Sequence, residues 1–237
     1  MSDPAATTRW TNILAARDGS GTAADHALEE LCRTYWSPLY AYVRARGRDP
    51  DAAADLTQAF FADLLEKDFL AAVDPAKGSF RAFLLASLRH FLAHQNEREH
   101  AKKRGGGAAT FSLDFDGAER AYAHQPVDHL TPDDVFERRW AATVLERAGE
   151  RLLREAAARG DRRAPSLVRN ITSAGEAIPY RQLAEELGMS ERAVATAVHR
   201  LRQRLGDCLR AELEELVADP RDVDTELRHL LGLAGNP

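Results

Sequence analysis

The sequence predicts an all-α protein made of two helical domains joined by a flexible linker. Apolar residues recur at the three- and four-residue spacing of amphipathic helices, and no stretch alternates convincingly as a half-buried strand does. Glycine, proline and capping residues separate the helical stretches. We therefore expect an N-terminal extension (1–25), a first domain (26–104), a linker (105–131), a second domain (132–217) and a C-terminal helical tail (218–237).

The first domain is predicted to hold three helices. The stretches Ala24–Arg46 and Asp51–Lys67 each gather their apolar residues on one face, and the turn Gly47–Pro50 separates them. Ser79 is placed to cap a third helix, which continues to about Arg104. This helix begins with phenylalanines and leucines and ends with arginines and lysines. The apolar residues of the N-terminal extension that we expect to pack on this domain are Trp10, Ile13 and Leu14.

The linker and the flanks of the second domain are predicted from composition and caps. Residues 105–131 lack a sustained period, but their apolar side chains indicate that the linker lies on a protein surface. Thr131, followed by Pro132 and acidic residues, is a typical start for a long helix. We expect a loop with short apolar patches at Arg159–Gly175. The amphipathic tail from about Ala218 is expected to pack against the second domain.

A helix pair between Ile178 and Arg210 is the most informative motif. Gly188 can end the first helix in the left-handed conformation that a side chain resists, and Ser190 is a natural N-cap for the second. Small Ala184 lets the two helices cross closely. The outward face of the second helix then carries residue types that contact phosphates and base edges in a major groove. The alternative is an ordinary helical hairpin whose basic face is only solvated. This face comprises Arg192, Thr196, His199, Arg200 and Gln203.

The charge distribution is compatible with nucleic-acid binding although the net charge is −5. Positive charge collects at Arg89–Arg104 and at Arg192–Arg210, whereas acidic residues collect at Asp114–Glu119 and Asp128–Glu137. A negative net charge together with two basic helices suits a protein that contacts DNA through only part of its surface and binds it with help from another protein.

No membrane or secretory segment is evident. The chain has no apolar run near the ~20 residues that span a bilayer and no signal peptide. Cys32 and Cys208 lie far apart and match no metal-ligand spacing. We therefore expect a cytoplasmic protein with reduced cysteines and with neither metal nor cofactor.

The order and spacing of these motifs resemble an RNA polymerase sigma factor of the sigma-70 family, in its extracytoplasmic-function (ECF) group. The resemblance runs from Ala27 to Leu216. The first domain resembles sigma region 2 through Tyr35–Tyr42, Asp55–Phe61 and Phe80–Leu84, and the second resembles the helix-turn-helix domain of sigma region 4. It implies a factor without catalysis of its own that binds core RNA polymerase and directs it to −10 and −35 promoter elements.

The resemblance implies that region 2 contacts both polymerase and DNA. Its second helix would dock on the clamp of the largest polymerase subunit through Asp51, Asp55, Gln58, Phe61 and Asp63. Opening a duplex needs an apolar or aromatic pocket for the extruded base and cations that track the backbone. The candidate −10 contacts are Lys77, Phe80, Phe83, Arg89, Asn96, Arg98, Lys102, Lys103 and Arg104. Core packing is the alternative for each phenylalanine.

The resemblance implies that region 4 contacts −35 DNA, and that the polymerase flap is a further partner surface. Ala195 and Ala197 stand where relatives often carry Lys or Arg, so the −35 sequence is left open. The candidate −35 contacts are Ser190, Arg192, Thr196, His199, Arg200, Gln203 and Arg204.

The clamp-docking helix departs from its relatives because Ala54 and Ala59 stand where flanking acidic residues are usual. A phosphate on Thr57 would supply about −1.5 to −2 charges, and the chain resembles a branch of the group that is thought to be switched in this way. A Ser/Thr kinase is then a candidate partner, as is an anti-sigma factor. The alternative is a buried Thr57 hydroxyl bonded to the carbonyl one turn earlier.

Three other function classes compete with this resemblance, and the two basic helices argue against one of them, a purely structural adaptor. A helix-turn-helix regulator that never recruits polymerase accounts for the second domain but leaves the first without a function. A metal enzyme is suggested by His90 and His94, whose spacing places two imidazoles on one helix face. No convincing third ligand or general base follows, and no glycine loop after a strand offers a nucleotide site. We therefore expect no catalytic activity.

Overall fold

The computed structural model describes residues 22–66, 79–101, 114–123, 129–172, 178–217 and 219–234. For residues 22–32, 65–66, 96–101 and 234 it describes the backbone only. These residues form α-helices and a short 3-10 helix at Pro220–Asp222, and none lies in a strand. The predicted all-α class is confirmed. The helices are α1 Thr22–Ala45, α2 Pro50–Glu66, α3 Phe80–Ala101, α4 Phe115–Ala123, α5 Pro132–Ala158, α6 Ala164–Thr172, α7 Tyr180–Leu187, α8 Glu191–Glu214 and α9 Val223–Ala234.

Local capping chemistry explains why the predicted helix starts are confirmed. The Ser79 hydroxyl accepts a hydrogen bond from the Ala82 amide at 3.3 Å at the start of α3. At the start of α5, the Thr131 hydroxyl accepts from the Asp134 amide, and the Asp134 carboxylate accepts from the Thr131 amide at 3.0 Å. This reciprocal pair is a capping box, which satisfies backbone donors that an α-helix leaves open.

The predicted loop at Arg159–Gly175 is wrong, because it contains helix α6. Ala164, Leu167 and Val168 are buried at 0–2% exposure, and α6 packs against α5 and α8. A helix of nine residues has little stability in isolation. Its stability therefore comes from burying this apolar face against α5 and α8, which a local pattern does not reveal.

A single hydrophobic core joins helices from both predicted domains. Helix α1 packs along α5, and α5 also contacts α6, α8 and α9. The least exposed large side chains of this interface are Tyr35, Leu39, Phe136, Trp140 and Leu152, each at 1% exposure or less. A second, smaller core lies between α6, α7 and α8. Helix α5 therefore lies between the first predicted domain and the helix pair.

Part of the predicted linker is a helix that docks on α1. The Phe115 ring of α4 packs 5.4 Å from Trp36 and 5.6 Å from Tyr40, measured between ring centroids. The Arg44 guanidinium forms two hydrogen bonds of 2.8 Å with the Glu119 carboxylate, which also accepts from the Tyr40 hydroxyl at 2.5 Å. The expectation that apolar linker residues lie on a protein surface is confirmed for Phe115.

The C-terminal tail packs against the second domain, as predicted. Helix α9 contacts α5 and α8, and its Val223 and Leu230 side chains are buried at 5% and 1% exposure. It also reaches the first predicted domain through an ion pair between Glu226 and Arg81. Trp10, Ile13 and Leu14, expected to pack on the first domain, lie outside the described residues.

The docking of α4 predicts a pH-dependent contribution to stability. Hydrogen bonds from Arg44, and then from Tyr40, hold the pKa of Glu119 below its ordinary value. A carboxylate whose pKa is lower in the folded state stabilises the fold at pH values above its unfolded-state pKa. This contribution to stability is lost as the pH falls through the folded-state pKa. We expect Glu119→Gln to lower the free energy of unfolding by about 1 kcal/mol at pH 7 and by much less at pH 3.

Urea denaturation at the two pH values measures this difference. Glu185→Gln is the matched control, because Glu185 forms an exposed ion pair with Arg181 within α7, and such pairs contribute about 0.5 kcal/mol or less. An equal loss for Glu119→Gln at both pH values would contradict the docking geometry.

Candidate nucleic-acid interface

The turn between α7 and α8 has the geometry that the sequence predicts. Gly188 adopts a φ of 62°, and the Met189 amide donates to the Ala184 carbonyl at 2.9 Å. A side chain resists this left-handed conformation, so glycine suits the position. The Ser190 hydroxyl then accepts from the Ala193 amide at 3.3 Å and caps α8. The start of α8 is thereby fixed relative to α7.

The inner faces of α7 and α8 seal against each other and against α6. Leu183, Val194 and Val198 are completely buried, and Ala184 is 7% exposed. Leu187 and Leu201 pack at the margin of this cluster. The buried contact determines which side of α8 faces solvent.

The outer face of α8 carries an exposed polar stripe. Arg192, Thr196, His199, Arg200 and Gln203 are all exposed. At 3.6 residues per turn, residues 192, 196, 199 and 203 follow one line along the helix, and residue 200 lies beside it. The Thr196 hydroxyl donates to the Arg192 carbonyl at 2.9 Å, which leaves its oxygen as an acceptor. We call these five residues the α8 stripe.

Arg204 belongs to the helix interface and not to the α8 stripe, although its side chain is 47% exposed. Its Nε and Nη2 atoms each donate to the Glu155 carboxylate of α5 at 2.8 Å, and Nη1 contacts Asp207 at 3.2 Å. Hydrogen bonding to Glu155 raises the pKa of Arg204, and Arg204 in turn lowers the pKa of Glu155. The bidentate pair occupies the guanidinium group that a phosphate would need.

The candidate −10 residues are only partly brought to the surface. Phe80 is 2% exposed, and its ring lies 5.5 Å from Tyr35 and 6.0 Å from the half-buried Phe83, between centroids. Phe80 is therefore a core residue in this fold. Arg89 is exposed, and its guanidinium pairs with Asp133 at the start of α5. Lys77, Lys102, Lys103 and Arg104 lie outside the described residues, and the side chains of Asn96 and Arg98 are not described.

The candidate polymerase contacts form a stripe on α2, with one exception. Asp51 and Asp55 are exposed, and Gln58 is half-buried on the same side of the helix. We call these three residues the α2 stripe. Asp63 is also half-buried but lies further round the helix. Phe61 is 2% exposed and packs 5.9 Å from Phe60, so it belongs to the core in this fold and not to the surface.

Thr57 is completely buried in α2. Its hydroxyl donates to the Ala53 carbonyl one turn earlier at 2.7 Å. This is the alternative geometry that the sequence left open for this residue.

Arg81 is not among the predicted site residues but becomes prominent in the structure. Its side chain is only 11% exposed, and its Cζ atom lies 4.1 Å from the centroid of the Trp140 ring. Burial opposes its charge, but Glu226 and Glu137 outweigh that effect and raise the pKa of Arg81. The signal for this role was an arginine between phenylalanines at the apolar start of a helix.

Two further features of the described residues bear on function. No group of three or more metal-ligating side chains occurs among them. In the same part of the chain, no helix combines the length and apolar character required to cross a membrane.

A family model described as ECF sigma factor matches residues 8–215 of the chain. The match covers the first predicted domain and all but the last two residues of the second, and it includes the α2 stripe and the α8 stripe. No curated protein and no solved structure matched the chain.

The different environments of two neighbouring arginines predict different mutant behaviour. We expect Arg200→Ala to weaken binding to duplex DNA about tenfold and to leave the melting temperature unchanged, because Arg200 is exposed on the α8 stripe. We expect Arg204→Ala to lower the melting temperature and to change DNA affinity less than about twofold. Fluorescence anisotropy on mixed-sequence duplex at low salt, together with thermal melts, measures both. The assignment of Arg204 to the helix interface is wrong if its variant loses affinity as strongly as Arg200→Ala.

Proposed function

Since the chain belongs to the ECF sigma factor family, it is a transcription initiation factor that directs RNA polymerase to promoters, and we propose which of its surfaces perform this function. Core RNA polymerase and promoter DNA are accordingly its partners. The observation that carries the proposal is the exposed polar stripe on a capped helix α8, presented by a tightly sealed helix pair.

We propose that the α8 stripe enters the major groove of −35 DNA. Arg192 lies in the first turn of α8, where recognition helices contact base edges. Arginine can donate two hydrogen bonds to guanine, and glutamine can contact adenine in the same way. Ser190 lies next to this end of the helix, and its hydroxyl already serves the cap. Arg204 is not included among these contacts.

We propose that the α2 stripe contacts the polymerase clamp. Asp51 and Asp55 are exposed carboxylates without an intervening hydrophobic residue on that side of the helix. Complementary charge across an interface raises the association rate and orients the partners. For −10 DNA, we propose Arg89 and the basic residues that follow it, with Phe83 as the half-buried one of the two candidate phenylalanines.

The alternative is a DNA-binding regulator that does not recruit polymerase. It needs the α8 stripe but not the α2 stripe, so core binding separates the two functions. We expect the full-length protein to co-purify with core RNA polymerase, and Asp51→Ala/Asp55→Ala to weaken this binding at least tenfold. Asp116→Ala is the control, because Asp116 is an exposed carboxylate on α4.

The Arg192→Ala/Arg200→Ala variant completes the experiment. It should retain core binding and lose promoter-directed transcription, because it changes the α8 stripe alone. If the wild-type protein fails to bind core under conditions in which a known sigma factor binds, the regulator is favoured over the sigma factor.

We propose further that a Ser/Thr kinase switches the protein by phosphorylating Thr57, and that the phosphate acts by displacing α2 from its neighbours. The hydroxyl has no solvent exposure in this fold, so a kinase reaches it only when α2 separates from its neighbours. A buried phosphate without partners is strongly unfavourable, so the modified helix would stay displaced. The gain in negative charge would thus accompany a structural change and not merely extend the α2 stripe.

Core binding by Thr57→Asp and Thr57→Ala tests this switch. We expect Thr57→Asp to lower the free energy of unfolding by at least about 2 kcal/mol, because it buries a charge, and Thr57→Ala to cost less. Tighter core binding by folded Thr57→Asp than by Thr57→Ala supports the switch. Equal binding by the two variants leaves Thr57 as a structural residue.

A further inference from the structure

An apolar interval lies between the basic residues of the α8 stripe. Each residue of an α-helix is rotated by about 100° from the one before it, so Ala195 and Thr196 lie about 60° and about 40° to either side of the line through Arg192. Thr196 is exposed and Ala195 is half-buried. The next residues of the stripe are the exposed His199 and Arg200. The outer face of α8 therefore presents a cation, then two small side chains, then further polar groups.

The Thr196 hydroxyl is already engaged by the helix. It donates its hydrogen to the Arg192 carbonyl at 2.9 Å, so the side chain can offer a partner only its oxygen lone pairs and its γ-methyl group. Ala195 can offer only its methyl group. Two neighbouring methyl groups on the outward side of a helix favour an apolar partner, because the contact removes apolar surface from water.

The Arg192 guanidinium is free to bind a base. Among the residues that the structure describes, it forms no hydrogen bond or ion pair, whereas the Arg204 guanidinium is held by Glu155. Arginine donates two hydrogen bonds to O6 and N7 of guanine in the commonest specific contact of the major groove. Guanine is therefore the base that fits the first turn of α8.

Thymine is the base that fits the apolar interval. Each base pair presents a different pattern in the major groove, and only an A·T pair carries a methyl group there, at C5 of thymine. Ala195 and Thr196 lie about 4.5–6 Å further along α8 than Arg192, at about 1.5 Å per residue. Stacked base pairs are about 3.4 Å apart, so this distance corresponds to one or two base pairs.

We propose that Ala195 and Thr196 determine promoter specificity by packing their methyl groups on a thymine, one or two base pairs from a guanine that Arg192 reads. This inference rests on the proposed function, because it names the bases that the α8 stripe selects in −35 DNA. Burying the thymine methyl group strengthens binding about fourfold. The alternative is that the Thr196 oxygen accepts a hydrogen bond from the amino group of adenine or cytosine.

The first experiment identifies the preferred duplex. The full-length protein, alone at low salt and in complex with core RNA polymerase, selects duplexes from a pool with a randomised centre. We expect enrichment of a G·C pair and, one or two base pairs away, of an A·T pair. Fluorescence anisotropy then compares the selected duplex with the same duplex carrying uracil in place of that thymine. Uracil lacks only the C5-methyl group, so we expect about fourfold weaker binding.

Two variants of Thr196 separate the methyl group from the hydroxyl. Thr196→Val keeps the γ-methyl group and Thr196→Ser keeps the hydroxyl, and both new residues resemble threonine in helix propensity. We expect Thr196→Val to keep the preference for thymine over uracil and Thr196→Ser to reduce it to about twofold, because Ala195 still contributes. The control is Thr225→Ser, which removes the same methyl group from an exposed threonine of α9 and should leave the preference unchanged. Arg192→Ala should lose the preference for guanine and retain the preference for thymine over uracil.

The outcomes separate this inference from the proposed function. If the protein binds duplex DNA but the pool yields no preferred sequence, or yields a G·C pair where the A·T pair is expected, the methyl contact is overturned and DNA binding stands. Equal affinity for the thymine and uracil duplexes overturns it as well. Loss of the thymine preference in Thr196→Val but not in Thr196→Ser would assign the reading to the hydroxyl. If neither the protein nor its complex with core polymerase retains any duplex, the proposed function fails, and this inference fails with it.

Discussion

The packing of α5 along α1 is the constraint on which the rest of the structure depends. Helix α5 has 27 residues and is about 40 Å long. Its first half buries Phe136 and Trp140 in the core shared with α1, and its second half buries Leu152 and Ala156. Helices α6, α8 and α9 all contact it. Its capping box fixes where it begins.

Local chemistry explains which parts of the fold were predictable. Gly188 and Ser190 determine the turn of the helix pair through backbone geometry and a cap, and both act within a few residues of sequence. Helix α6 was missed because its stability depends on burying Leu167 against distant helices. The helix that follows Asp114 in the linker was missed for the same reason, since Phe115 packs against α1.

Site residues were predictable as stripes but less so as individual side chains. Helical spacing alone placed the exposed residues of α8 on one side. The burial of Phe61 and Phe80 and the internal hydrogen bond of Thr57 depend on what packs against their helices. Arg81 and Arg204 show the same limit for charge, because the carboxylates of Glu137, Glu226 and Glu155, which hold them across helices, lie 49 or more positions away. A basic residue in a sequence does not reveal whether a phosphate or an internal carboxylate neutralises it.

Acidic residues of α5 pair with arginines of α3 and of α8, and burial determines which of these pairs can be exchanged for a phosphate. The Arg89–Asp133 pair is about half exposed on each side, and such pairs contribute about 0–1 kcal/mol. A phosphate can therefore displace Asp133 at little cost. The Arg204–Glu155 pair is intermediate, because its carboxylate is 25% exposed and its geometry is bidentate. Arg81 is 11% exposed and held by two carboxylates, and removing the partners of such a buried charge is costly. We therefore expect a phosphate to compete with Asp133 for Arg89 more readily than with Glu137 and Glu226 for Arg81.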